Sequence, residues 1–449
     1  MHIRPLAWLA LAAFTGHMGL AHAQPTDPKP HACPTEVPTG ATCHVGEDGL
    51  GGFYWIAVPA GWKPQTGVLV VHAHGGPADT GPATLDRGEE DLKRWAITVK
   101  AGHAWAGATY RRGGFGVSMA AEDTERVRRI FVKHFGPPRR TILHGQSYGA
   151  SVAAKGAEMY ATVEGPNGPV KGPYDGMLLT SGVLGGGTRA YDFRIDLRVV
   201  YQYVCKNHPK PDEPQYPLWQ GLPMNASLTR AQLAARVDEC TGVRKPAAQR
   251  SEQQKANLAT IVNVIQIPER SLIGHLNWAT WLFRDLTQLR LGNRNPFNNA
   301  NVRYQGSSDD AALNAGVLRY TADPVAVAEL AKDSDPEGRI NMPVLSLHAI
   351  NDPTAFVELE SAYRETVERA GNGALLVQTF SDESEHSFLS EPQYPALFTA
   401  LLQWIDKGDK PTPQSVASLC KGYEAAYGNT CRLLPDYRSA PLASRVAPR

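Results

Sequence analysis

The stretch Thr141-Ile142-Leu143-His144-Gly145-Gln146-Ser147-Tyr148-Gly149-Ala150 decides the fold. Residues 141–143 are a short apolar, strand-like run, and residues 150–160 are rich in good helix formers. Between them Gly145-Gln146-Ser147-Tyr148-Gly149 fits G-x-S-x-G, a pattern that spells a sharp strand-to-helix turn. The two glycines have a physical reason, because such a turn strains the backbone and packs so closely that a Cβ on either flank would obstruct it. The turn exposes the hydroxyl between them, so Ser147 is the candidate nucleophile.

Working outward, residues 53–58, 68–71, 104–110 and 177–180 read as strands, while 85–95 and 120–135 read as helices. The rhythm breaks between about 185 and 338, where helical segments at 228–237, 254–264 and 276–291 are joined by Pro- and Asn-rich connections. It resumes with a strand at 344–348, a helix at 355–370, a strand at 375–380 and a helix at 391–405. Alternating β and α elements predict an α/β fold with a mainly parallel sheet and helices on both faces, because parallel strands need crossovers. The expected organisation is a leader at 1–23, an N-terminal extension at 24–50, core at 51–184 and 339–408, an inserted lid at 185–338 and a C-terminal extension at 409–449.

Composition narrows the partners. The 449 residues carry 45 Lys+Arg against 44 Asp+Glu and are 42% hydrophobic, which excludes disordered and collagen-like chains. No long basic block is present, so neither a nucleic-acid backbone nor an anionic membrane is an expected partner. His2 and Arg4 precede an apolar run, residues 6–20, that ends in Ala21-His22-Ala23, a secretory signal cleaved after Ala23. Thr15, Gly16 and His17 interrupt that run, which argues against a membrane anchor and for a secreted or periplasmic protein. The six cysteines of an exported chain read as three structural disulfides between sequence-local partners, Cys33 with Cys43, Cys205 with Cys240 and Cys420 with Cys431, with buried thiols as the alternative, and none has metal-ligand spacing.

A serine hydroxyl is a weak nucleophile at neutral pH and needs a histidine base oriented by a carboxylate, in the chain order Ser, acid, His after this turn. Asp352, in His348-Ala349-Ile350-Asn351-Asp352-Pro353, follows the 344–348 strand and is the acid candidate; it also reads as a turn or N-cap aspartate. His386, in Glu385-His386-Ser387-Phe388, follows the 375–380 strand and is the base candidate, with Asp382 and Glu385 as rival acids. His74-Gly75-Gly76-Pro77 follows another strand. Its glycines let the backbone approach a substrate, so the Gly75 or Gly76 amide and the Tyr148 amide are the candidate oxyanion donors. His72 and His74 could instead begin a metal site, but glycines and proline follow where further ligands are needed, so no metal is expected.

Taken together, His74-Gly75-Gly76-Pro77, Gly145-Gln146-Ser147-Tyr148-Gly149, Asp352 and His386 resemble an α/β-hydrolase over about residues 53–405, the insertion excepted. The resemblance implies an eight-stranded sheet, a lid after the sixth strand and an acyl-enzyme intermediate. The glycine loop and the Ser-Tyr pair are similar to prolyl oligopeptidase-type and proline iminopeptidase-type relatives, though no blade-like repeats precede the core. Tannase and feruloyl-esterase relatives place cysteines before the serine and after the histidine, where this chain has Gln146 and Ser387.

The insertion is aromatic-rich, with Tyr201, Tyr203, Trp219, Trp278, Trp281 and Phe283, which suits an apolar or aromatic ester. Trp278 and Trp281, at i, i+3, are candidates for substrate contact or for a packed helix face. Arg111 and Arg112 could hold a substrate carboxylate or anchor a loop. The expected activity is cofactor-free hydrolysis of a small or polymeric carboxylic ester. The alternatives are a peptidase or amidase with the same triad, and a non-catalytic binding module.

Overall fold

The computed structural model describes residues 24–76 and 81–449, so the expected leader at 1–23 and Pro77 of the glycine loop lie outside the described residues. The strands are β1 (Lys29–His31), β2 (Thr42–Glu47), β3 (Phe53–Val58), β4 (Val68–Ala73), β5 (Ala104–Ala108), β6 (Arg140–Gln146), β7 (Thr162–Gly165), β8 (Gly168–Lys171), β9 (Gly176–Thr180), β10 (Val344–Ala349) and β11 (Leu376–Ser381). Nine form one sheet in the order β1-β2-β3-β5-β4-β6-β9-β10-β11, and β7 and β8 form a separate hairpin. The strands from β5 to β11 in that order run parallel, and β1, β2 and β3 pair antiparallel.

The sheet has one strand more than the eight expected. β1 and β2 are polar, with sequences KPH and TCHVGE, so hydrophobic pattern does not announce them. Pairing to β3, from Thr42 opposite Val58 to Glu47 opposite Phe53, makes them strands.

The helices are α1 (Leu85–Lys100), α2 (Val117–Phe135), α3 (Tyr148–Met159), α4 (Asp192–Cys205), α5 (Arg230–Thr241), α6 (Glu252–Ile265), α7 (Leu272–Asn277), α8 (Asp310–Gly316), α9 (Pro324–Ser334), α10 (Leu359–Arg369), α11 (Gln393–Lys407) and α12 (Pro413–Tyr427). Side chains alternate across each strand, so the sheet builds two cores. Val68 and Val70 of β4 join Trp55, Trp105, Leu345 and Leu347 in one core with Leu92 of α1 and Leu401 of α11. Leu69 and Val71 join Ile56, Ala106 and Leu143 in the other, with Val127 and Phe131 of α2 and Ala153 of α3.

The chain between β9 and β10 carries α4 to α9, which places a largely helical insertion after the sixth strand of the expected eight. Its Ile195, Val199, Leu233, Ile261, Leu276 and Phe283 are buried in that second core. The helix expected at 276–291 is less regular, since α7 passes into π-helical turns at Trp278–Leu282 and Asp285–Arg290. Disulfides join Cys33 to Cys43, Cys205 to Cys240 and Cys420 to Cys431. Among the described residues no helix is long and apolar enough to cross a membrane.

Register sets where chemistry can gather. Ala73 of β4 pairs with Gly145 of β6, and Gln146 of β6 pairs with Thr180 of β9. The loops after β4 and β6 therefore leave the sheet side by side at the carboxyl ends of its parallel strands, where open α/β sheets bind ligands.

Candidate active site

Ser147 stands between β6 and α3 with φ 59° and ψ −124°, a left-handed backbone that a serine adopts only under constraint. Three hydrogen bonds impose it: Ser147 N–H donates to Thr180 O (3.0 Å), and the N–H groups of Ala150 and Val183 donate to Ser147 O (3.0 and 3.1 Å). The flanking glycines are sterically required. A Cβ on Gly145 would lie 2.1 Å from Gly149 O, and one on Gly149 would lie 2.1 Å from Ala73 O. Ser147 is 8% exposed.

The carboxylate and the imidazole come from the ends of β10 and β11. His386 Nδ1 lies 2.8 Å from Asp352 Oδ2. The other oxygen, Oδ1, accepts the N–H groups of Thr354 (2.8 Å) and Ala355 (3.0 Å). Asp352 thus caps a turn with one oxygen and faces the histidine with the other. Burial raises its pKa, but the facing His386 and His348 outweigh that and hold the carboxyl well below the usual range. Of the rival acids, Asp382 is exposed and Glu385 pairs with Arg270 at 3.1 Å, so neither is directed at His386.

With Nδ1 donating to Asp352, the lone pair of His386 is on Nε2. Gln146 Nε2 lies 3.3 Å from that atom and donates to the His386 carbonyl (3.2 Å) and to Ser387 Oγ (3.0 Å). The two residues that stand where tannase-type chains have cysteines therefore face each other here as a hydrogen bond.

The glycine loop is pinned against this turn. A Cβ on Gly75 would fall 2.6 Å from Gln146 Oε1 and 2.9 Å from Gln146 O, so only glycine admits so close an approach, and Gly76 follows with φ 66°. Preceding them, His74 pairs with Asp91, accepts from Arg87 Nε (2.6 Å), and receives Tyr110 Oη on its carbonyl (2.9 Å). Tyr148, as the first residue of α3, has an N–H with no intrahelical acceptor. Ser147, Tyr148, Gly75 and Gly76 thus stand at the ends of the adjacent strands β4 and β6, and Asp352 and His386 follow β10 and β11, with β9 between the two sets.

His72 turns into the fold, with Nδ1 3.0 Å from His144 Nδ1, and burial pushes its pKa down to about 4. Among the described residues no group of three or more His, Cys, Asp or Glu is placed to hold a metal ion. Arg111 ties its loop to α2: it bonds Asp123 through its amide (2.8 Å) and Nε (2.7 Å) and Glu122 through Nη2 (3.0 Å). Arg112 reaches Asp285 at 3.0 Å. Trp281 stacks on Arg230, with 5.3 Å from guanidinium to ring. Trp278 is half-buried and lies 5.6 Å from the ring of His275.

Sequence reasoning missed the group behind Asp352. His348 is fully buried, with Nε2 3.5 Å from Asp352 Oδ2 and Nδ1 3.2 Å from Glu360 Oε1. Burial opposes its charge, yet Asp352 and Glu360 outweigh burial and raise it to about 10, so His348 is a cation wedged between two carboxylates. His348 and Asp352 stand four apart in sequence, a weak signal. Glu360 is the second residue of α10 and gives none.

The sheet order and the strained turn at Ser147 define an α/β-hydrolase fold. The sequence matches no protein-family model and no curated protein. Among solved structures the chain is similar to an esterase from Aspergillus oryzae (TM-score 0.44, 12% identity, 88% of each chain covered). It is likewise similar to Candida antarctica lipase A (0.43, 12%, 87% of this chain and 84% of that one). A third is feruloyl esterase B from Aspergillus oryzae (0.42, 13%, 88% and 89%).

Proposed function

We propose that this protein is an exported serine hydrolase that cleaves carboxylic esters. The observations that support the reading are Ser147 on its strained turn after β6, a His386–Asp352 pair at 2.8 Å after β10 and β11, and Gln146, the residue before Ser147, bonded to the His386 carbonyl at 3.2 Å. Ser147 Oγ attacks the ester carbonyl and His386 Nε2 takes its proton. Asp352 holds the imidazole in the tautomer that leaves Nε2 free and stabilises the imidazolium. The Tyr148 amide and the Gly75 or Gly76 amide receive the oxyanion, and their preset geometry needs no reorganisation as charge develops. The tetrahedral intermediate collapses, His386 returns the proton to the leaving alcohol, and an acyl-Ser147 ester remains. Water activated by His386 then releases the acid. No cofactor or metal takes part in these steps. Ala21-His22-Ala23 and three disulfides support export.

The test compares the mature protein on p-nitrophenyl esters and aminoacyl p-nitroanilides, with Ser147→Ala as control. Ester turnover that disappears in the variant, with anilides inert, is the expected result. Anilide cleavage would move the assignment to a peptidase or amidase, and turnover that survives Ser147→Ala would refute the nucleophile.

A further inference from the structure

Arg194 of α4 is 3% exposed. Its Nε and Nη1 are sealed from solvent without a hydrogen-bond partner, and no carboxylate among the described residues ion-pairs with it. Its neighbours along the helix, Asp192 and Asp196, are both directed to Arg449, at 3.4 and 2.6 Å. What surrounds the guanidinium is aromatic: the rings of Phe193 and Trp278 at 4.7 Å and of Tyr191 at 4.9 Å. Cation–π attraction offsets part of the cost of burying the charge, but it leaves the N–H groups unbonded. Burying a cation held this way is costly unless an anion arrives.

A third polar atom in the same cluster is also unpaired. His275 is fully buried, with its ring 5.0 Å from Phe193 and 5.6 Å from Trp278. Its Nε2 donates to Pro353 O at 2.9 Å, and its Nδ1 has no partner. Burial and the nearby Arg194 push its pKa down to about 3, so the ring is neutral and Nδ1 presents a lone pair.

The cluster borders the catalytic residues on two sides. Through His275 it touches Pro353, the residue after Asp352. On the other side Tyr191 lies 5.6 Å from Phe115, which lies 5.8 Å from Tyr148, the residue after Ser147. Arg194 is thus linked through His275 to the residue after Asp352, and through Tyr191 and Phe115 to the residue after Ser147. The half-buried Trp278 forms the wall of the cage nearest solvent.

We infer that Arg194 is a substrate-binding residue that receives a free carboxylate carried by the ester, so the preferred substrates are half-esters or esters of carboxylated alcohols. This rests on the ester-hydrolase reading of Ser147. A carboxylate offers two acceptor oxygens to the planar fork of an arginine, and the aromatic walls exclude the water that would screen the pair. A neutral ester of the same shape leaves the guanidinium unpaired, and selectivity follows from that penalty.

Two isosteric pairs test it: p-nitrophenyl hydrogen glutarate against p-nitrophenyl pentanoate, and 4-acetoxybenzoate against its methyl ester. The inference expects kcat/KM to favour the anionic member of at least one pair by about tenfold or more, the ratio that 1.4 kcal/mol supplies. Arg194→Gln should collapse the ratio toward one, and Arg194→Lys should retain part of it. A ratio near one in the unmodified protein, or one that survives Arg194→Gln, would overturn the inference and leave a water bridging Arg194 and His275 as the occupant. Binding of glutarate and benzoate, followed by calorimetry, decides the matter apart from turnover. Sub-millimolar binding weakened tenfold or more by Arg194→Gln supports the carboxylate site even if no ester is cleaved, whereas absence of binding by both acids contradicts it. Failure of every ester to turn over would count against the hydrolase reading alone.

Discussion

At the scale of single residues, the proposed chemistry of Ser147 depends on which carboxylate faces His386. Asp352 Oδ2 does so at 2.8 Å, and Asp382 lies exposed nearby in sequence. Asp352→Asn should therefore lower kcat by roughly 10,000-fold, because the wrong tautomer puts a proton on Nε2, while Asp382→Asn stays within about twofold. Steady-state kinetics on the two variants check this. Chain order and strand ends made Ser147, Asp352 and His386 legible in the sequence, since each follows a predicted strand. Arg194, His275, His348 and Glu360 were not legible. They matter because of what surrounds them in space, and no spacing rule relates residue 194 to 278 or 348 to 360.

At the scale of elements, the turn between β6 and α3 tolerates no Cβ at Gly149, which would meet Ala73 O at 2.1 Å. Gly149→Ala should disrupt the turn and the folded state, read as loss of soluble protein or of a cooperative melt. Gly156 lies in the same helix, and a Cβ there would meet Ala121 Cβ at 3.5 Å and Leu143 Cδ2 at 3.8 Å, both ordinary van der Waals contacts. Gly156→Ala should raise stability by about 0.5–1 kcal/mol, the usual cost of a helix-interior glycine, as measured by urea unfolding. In the insertion, Cys205–Cys240 closes a 35-residue separation and ties α4 to α5. Replacing both with serine should remove roughly 3–4 kcal/mol on the chain-entropy argument, seen as a lower midpoint in denaturant. The strong βα periodicity around Ser147 was readable because those strands are apolar on both faces. β1, β2 and the β7–β8 hairpin were not, because exposed polar strands owe their conformation to pairing rather than to pattern.

At the scale of the whole molecule, buried histidines of opposite character bracket the pH of greatest stability. His72 and His275 are buried neutral, pushed down to about 4 and about 3 mainly by desolvation. The unfolded chain binds their protons first, so the stability they confer is lost as pH falls from about 6.5 toward 4. His348 is buried as a cation and raised to about 10 despite desolvation, by Asp352 and Glu360. Its contribution is complete below about 6.5 and is lost as pH rises toward 10. Melting temperature against pH should therefore peak near neutrality, and His348→Gln should flatten the alkaline side. A melting temperature still rising from pH 7 to 10 would contradict the charged state of His348. The central claim concerns Ser147, and covalent labelling tests it most directly. A fluorophosphonate should add one label per chain, map to the peptide carrying Ser147, and vanish in Ser147→Ala, whereas a folded protein that takes no label, or takes it at another residue, would contradict the assignment.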